Sequence, residues 1–304
     1  MRLTFSVVVY LAAMVDSYAA SLDVQKVTEG VYALVGELGQ RSPENLGNNA
    51  TFGVIITGEG VVLVDSGGTF KGAAQIEKAI RQITDKPVVL IINTGGQDHR
   101  WLGNDYFKRQ GARIVAAQAA VDDQRARLND QLLSLERLVG AQGASGTRDV
   151  HADQTFERAL DLSTGGIKLQ IRHPGAAHTP GDSYVWLPQK KVLFSGDIVY
   201  VDRMLAVTPV SRSASWIRAF EQMALLNPQY IVPGHGSVTT LEKAQADTYD
   251  YLVMLRETVG ELLNRGIGME DVGKIDQSGF RHLKFYDQLK GRNAQQVYQE
   301  MEWE

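Results

Sequence analysis

The residues of this chain able to do hydrolytic or metal chemistry stand at the ends of apolar runs. Gln97, Asp98, His99 and Arg100 follow the run V-V-L-I-I at 88–92, and His178 lies in Gly175-Ala176-Ala177-His178-Thr179-Pro180-Gly181-Asp182. Asp197 closes Leu193-Phe194-Ser195-Gly196-Asp197, and His235 lies in Val232-Pro233-Gly234-His235-Gly236. A neutral imidazole and a carboxylate at strand ends can converge on a divalent cation, and glycines beside Asp197 and His235 let the backbone approach closely and turn. Such an ion lowers the pKa of bound water to about 7 and polarises a scissile carbonyl, which permits hydrolysis without a serine or cysteine nucleophile. The 304 residues include no cysteine. A thiolate zinc site, a cysteine nucleophile and a lipoprotein anchor are therefore excluded, and the ligands must come from six histidines and selected carboxylates.

These side chains need two β-rich halves to position them. In the first half the pattern predicts a strand pair over 24–35 with a turn at Glu29-Gly30, and a hairpin of 52–57 with 61–65. A helix over 73–83, a strand buried on both faces after Pro87, a helix over 101–110 and a strand over 111–116 follow. The polar segment 39–49 is a candidate rim of the site. A long charged helix over 119–140 and a Gly/Ser-rich connector over 141–150 lead to the second half. There the expected strands are 159–162, 167–173, 183–187, 192–198 and 230–232, with a helix over 215–226 and further helices over 241–265 and 294–301. Two β-rich halves with outer helices predict an α/β fold, an αβ/βα four-layer sandwich with extra C-terminal helices.

Arg2, the apolar run 7–15 and the small residues Ser17, Ala19, Ala20 and Ser21 read as a secretory signal cleaved after Ala19 or Ala20. The expected organisation is a signal peptide over 1–20, one domain over 21–245 and a helical extension over 246–304 packed on it. The mature protein is then periplasmic or secreted, with no membrane association. A net charge of −4 and a pI near 5.9, without a dense Lys/Arg cluster, argue against a nucleic-acid partner and for a small-molecule substrate.

Taken together, N-T-G-G-Q-D-H-R-W-L-G-N at 93–104, G-x-x-H-T-x-G-D at 175–182, S-G-D at 195–197 and P-G-H-G at 233–236 resemble the motifs of the metallo-β-lactamase superfamily. The layout is most similar to periplasmic zinc metallohydrolases associated with sulfur oxidation and quinoproteins, and to glyoxalase-II-type enzymes. The resemblance implies metal-assisted cleavage of an ester, thioester or amide. In that family the first segment reads N-T-H-x-H-x-D-H-x-x-G-N, so an ungapped reading sets Gly95, Gln97, His99 and Arg100 at the four ligand positions. A one-residue bulge would instead bring Asp98 and His99 into the Asp-His places.

Three states follow from the resemblance. One ion, expected to be zinc, is held by His99, His178, Asp197 and His235 with Asp98 close by. Alternatively, a metal-free site pairs Arg100 with Asp197 or Asp98 and serves small-molecule binding. A full two-metal centre is the third. Arg100 and Gln97 are expected to contact an anionic or carbonyl-bearing substrate, with Arg100 or the metal stabilising an oxyanion and Asp98 or Asp197 orienting water. Asp65, after V-V-L-V, is expected to cap or to orient a loop side chain. His151, His173 and His282 are read as solvated or supporting residues, and Trp101, Trp186 and Trp216 as packing.

Overall fold

Residues 21–304 are described in a computed structural model; the expected signal segment, 1–20, lies outside the described residues. The first sheet runs in chain order: β1 (Asp23–Thr28), β2 (Val31–Val35), β3 (Thr51–Ile56), β4 (Val61–Val64), β5 (Val88–Asn93), β6 (Arg113–Ala117) and β7 (Gln154–Phe156). Its first four strands pair antiparallel and the rest parallel. The second sheet comprises β8 (Ala159–Thr164), β9 (Ile167–Arg172), β10 (Tyr184–Leu187), β11 (Val192–Tyr200) and β12 (Tyr230–His235), antiparallel except for the β11–β12 pair.

Side-chain alternation explains how four layers form. In β4, Val62 and Val64 enter the core shared with Leu169, Ile171, Val185 and Phe194 of the second sheet. Val61 and Leu63 point the other way, onto Ala73, Ile76 and Ile80 of helix α1 (Phe70–Ile80). β5 repeats the division, with Leu90 and Ile92 inward and Ile91 outward. In β11, Val192 and Phe194 face the first sheet, whereas Leu193 joins an outer core with Trp216, Phe220, Tyr251, Leu255 and Val297. This is the αβ/βα sandwich that the sequence predicts, and it brings the C-terminal ends of the parallel strands β5, β11 and β12 together.

The helices depart from the sequence expectation where glycine or side-chain bonding intervenes. The single helix expected over 101–110 is two short ones, α2 (Asp98–Trp101) and α3 (Asn104–Lys108). At the break, a Cβ on Gly103 would lie 1.9 Å from the Ser66 carbonyl oxygen, so only glycine permits this approach. Helix α4 (Gln118–Ala144) runs into the expected connector, interrupted at Gly140. Helix α5 (Ser213–Ala224) covers the second sheet. Beyond β12, α6 (Leu241–Ala244) continues through a π-helical turn (Gln245–Tyr249) into α7 (Asp250–Asn264), and α8 (Tyr286–Met301) begins earlier than the pattern indicated. Among the described residues no helix is long and apolar enough to cross a membrane.

Candidate metal centre

His99, Asp197 and His235, all buried, each place one ligand atom within 4.8 Å of the others'. His99 is delivered by the short helix that follows β5, and His235 ends β12. Asp197 sits in an irregular stretch of β11: Gly196 pairs with Pro233 and Tyr200 with His235, so the strand bulges between them and aims the carboxylate out of the ladder. Asp197 Oδ2 lies 3.3 Å from His99 Nε2, and Oδ1 lies 3.2 Å from His235 Nε2.

The tautomers follow from the outer nitrogens. His235 Nδ1 lies 2.8 Å from the Asn49 carbonyl oxygen and His178 Nδ1 lies 2.9 Å from that of Ala206. A carbonyl can only accept, so each Nδ1 carries the proton and each Nε2 presents a lone pair. The His235 lone pair therefore faces a carboxylate oxygen, two acceptors turned toward one another. His99 Nδ1 lies between Asp98 Oδ1 at 3.3 Å and Arg41 Nη2 at 2.6 Å. If it donates to Asp98, Nε2 is free for a cation; if it accepts from Arg41, Nε2 carries the proton.

The residues present fit one divalent cation. His99 Nε2 is buried without a hydrogen-bond partner, as are Arg41 Nε and Asn49 Oδ1 in the same lining. Unpaired polar atoms of this kind are costly when buried, and together they mark a place for a ligand. His178 lines the cleft but stands outside the three-residue convergence. Its ring packs edge-on to Tyr200 and Trp216, and Tyr200 stacks on His235 at 4.6 Å.

Arg100 is placed differently from the substrate-facing residue expected. It is fully buried, and its guanidinium forks onto Asp197, with Nε to Oδ2 at 3.1 Å and Nη2 to Oδ1 at 2.6 Å. Nη1 donates to Asp65 at 2.9 Å and to the Thr51 carbonyl, and Nη2 also reaches the Gly234 carbonyl. With its donors consumed behind Asp197, Arg100 has none left for a substrate. Asp65 accordingly orients Arg100, and it also accepts from the Thr94 amide and hydroxyl. Burial raises the Asp65 carboxyl against the pull of Arg100, so the guanidinium is shared between Asp65 and Asp197. The turn has Arg100 N bonded to Gln97 O and Leu102 N to Asp98 O, and the residue it presents to Asp197 and His235 as a ligand is His99.

The electrostatics divide by partner. Burial pushes the Asp197 carboxyl upward, but Arg100 and His99 outweigh it and hold the group well below its usual range. Asp98, ion-paired with Arg41, is likewise held low against its burial. Burial draws His178 down to about 4 and His235 well below its ordinary value, so both rings are neutral at pH 7.

Gly95 and Gln97 leave the other side of the expected cluster without histidines. A Cβ on Gly95 would lie 2.6 Å from Asp182 Oδ1, and one on Gly96 would lie 1.9 Å from Asp123 Oδ2. Asp182 accepts from the Thr179 amide and hydroxyl, while Asp123 takes the fork of Arg127, whose Nη1 reaches Gln97 Oε1 at 3.4 Å. Aspartates and an arginine thus occupy the neighbourhood that ligand side chains at 95 and 97 would need.

The family model of the metallo-beta-lactamase superfamily matches residues 47–235. The chain belongs to this superfamily. A metallo-beta-lactamase type 2 of Elizabethkingia meningoseptica is 26% identical over 185 residues, covering 60% of this chain and 66% of that relative. A metallo-beta-lactamase from Pontibacter korlensis superposes with a TM-score of 0.61 at 21% identity, covering 77% of this chain and 99% of that one. The stereoselective inverting sec-alkylsulfatase Pisa1 from Pseudomonas sp. gives 0.73 at 17% identity, covering 91% of this chain and 50% of that one. The chain thus spans 66% of the lactamase relative's length and half of the sulfatase's. The sulfatase correspondence leaves out so little that it includes most of the C-terminal helices.

Those helices bear on this superfamily member's site in a way the sequence did not signal. Asn293 of α8 is buried; its Oδ1 accepts from the Val207 amide at 2.9 Å and its Nδ2 donates to the Leu205 carbonyl at 2.8 Å. The strap between them carries Ala206, the acceptor for His178. Arg41 was also missed, because a lone arginine in a polar loop carries no motif. His173, His151 and His282 take supporting places, against the Asp182 carbonyl, the Trp101 ring and Asp247 respectively.

Proposed function

We propose that the protein is an exported, metal-dependent hydrolase that cleaves an ester, thioester or amide bond of a small molecule with water. Membership of a superfamily with hydrolase relatives supports the reaction class, and the N-terminal sequence supports export to the periplasm or beyond. One observation carries the reading: the His235 Nε2 lone pair faces an Asp197 oxygen at 3.2 Å beside the unpartnered Nε2 of His99, an arrangement that a cation stabilises. His99, Asp197 and His235 would hold one ion, and their nitrogen and oxygen donors suit zinc. When bound, the ion supplies Lewis acidity and acidifies water.

The chain's own groups do the rest. Asp98, fixed as a carboxylate by Arg41, accepts a hydrogen bond and orients water; its lowered pKa suits it to that better than to taking a proton. His178 offers a neutral acceptor at the cleft wall. Asp65 and Arg100 hold Asp197 in place.

Element analysis of protein purified without added metal tests the proposal. About one ion per chain, lost in His235→Ala, is the expected result. Absence of metal, with no hydrolysis on adding zinc, manganese or iron, would overturn it in favour of a metal-free small-molecule binding protein. That second reading draws on the Arg100–Asp197 fork and on the Arg41 contact at His99 Nδ1.

A further inference from the structure

Strand β11 runs past the strand beside it. β10 pairs with Val192, Leu193 and Phe194 only, and among the described residues no strand covers that edge of β11 farther on. Helical side chains take a strand's place there, at every second residue. Trp216 Nε1 of α5 donates to the Ile198 carbonyl at 2.9 Å. Thr248 Oγ1 accepts from the Tyr200 amide at 3.0 Å and donates to the Tyr200 carbonyl at 2.6 Å, and Asp247 Oδ2 accepts from the Asp202 amide at 3.0 Å. Buried backbone groups left unpaired are costly, so these bonds let β11 continue to the site.

Asp247 and Thr248 come from the π-helical turn between α6 and α7. Its Asp250 amide bonds the Gln245 carbonyl, one residue farther than in an α-helix. The wider turn brings two successive side chains onto one strand, and π turns occur mostly where function needs them. Thr248 is fully buried, and Lys243 Nζ at 2.8 Å and His282 Nε2 at 3.1 Å brace the Asp247 carboxylate. Both residues lie beyond the stretch that the family model matches, which ends at 235.

The gripped segment adjoins a ligand. The Tyr200 ring stacks on that of His235 with the planes 20° from parallel, and the Val201 amide donates to the His235 carbonyl at 3.0 Å. The π turn thus holds residues 200 and 202 on either side of the one that bonds His235.

We infer that Thr248 is a positioning residue for His235: its hydroxyl fixes the Tyr200 backbone, the backbone fixes the ring, and the ring sets the plane in which His235 presents Nε2. The step from ring to ion rests on the single-ion reading; the step from Thr248 to the ring does not.

Two measurements on the full chain test this. In chelator-treated protein with isotope-labelled histidine, the ring-proton NMR signals of His235, assigned against His235→Ala, carry the shielding of the stacked Tyr200. Thr248→Val should move them downfield, and Thr248→Ser, which keeps the hydroxyl, should leave them in place. Zinc affinity, by competition with a chromophoric chelator, should fall about tenfold or more in Thr248→Val and stay near wild type in Thr248→Ser. Tyr200→Leu should weaken zinc similarly, and the double variant should be no weaker than the weaker single one, because both act through one ring. Unmoved His235 signals or unchanged zinc affinity in Thr248→Val, equal losses in Thr248→Val and Thr248→Ser, or additive losses in the double variant would overturn the role. If Thr248→Val does not fold, Tyr200→Leu, which keeps both backbone bonds to Thr248, decides: unchanged zinc affinity overturns the inference. A wild type that binds no zinc defeats the hydrolase reading alone, and the His235 signals then decide the role of Thr248.

Discussion

Arg100 and Asp197 form a two-armed ion pair, 2.6 and 3.1 Å long, in which neither side chain is more than 1% exposed. Removing one member leaves charge buried without its partner, a loss of about 3–5 kcal/mol. Arg100→Met should therefore lower unfolding stability by about that amount, and Arg100→Lys should not restore it, because one ammonium cannot serve Asp197, Asp65 and two carbonyls together. Denaturant unfolding measures both; a change under about 1 kcal/mol would mean that the fork contributes little.

Arg41 controls the His99 tautomer. With Arg41→Met, His99 Nδ1 keeps only Asp98 as neighbour, donates to it, and leaves Nε2 as a lone pair. Zinc affinity, measured by competition with a chromophoric chelator, should rise about tenfold, the usual scale for groups that orient a ligand. Unchanged or weaker binding would show that Arg41 does not compete with the ion.

His178 sets an acid limit. Its folded pKa of about 4 lies below the ordinary 6.5, so between these values the unfolded chain binds the extra proton. Stability should be complete above about pH 6.5 and should fall as the pH drops toward 4, by up to about 3 kcal/mol from this group. His178→Gln keeps a donor for the Ala206 carbonyl and should flatten the profile in chelator-treated protein. An unaltered slope would assign the acid sensitivity to other groups.

Asn293 ties α8 to the strap beneath His178. Asn293→Ala removes three buried hydrogen bonds, with the Val207 amide, the Leu205 carbonyl and the Tyr251 hydroxyl, and should cost about 1–3 kcal/mol. The sharper measurement is hydrogen exchange at the Val207 amide, whose protection should be lost while that of β5 is retained. Full protection at Val207 would mean that the strap stands without the helix.

What was legible in the sequence, and what was not, follows the range of the interactions. The apolar strands and the motif order were readable because V-V-L-V and V-V-L-I-I carry their burial within a few residues. His99, Asp197 and His235 were readable because glycine and strand ends accompany them. The partners of Arg100 were open, between Asp197 and Asp98, and the structure adds Asp65, 35 residues away in the chain. Arg41 and Asn293 could not be read, since each acts only through a tertiary contact. Helix α8 started unseen because polar residues such as Asp287, Gln288 and Arg292 dilute its apolar stripe.

The paired glycines at 95 and 96 are matched to the aspartates that pack against them. Any side chain at 95 meets Asp182, and any at 96 meets Asp123, which in turn holds Arg127. A histidine reintroduced at 95 would therefore meet an occupied space rather than an empty one. A ligand side chain at 95 would require the Asp182 carboxylate, bonded to the Thr179 amide and hydroxyl, to shift or to be replaced with it.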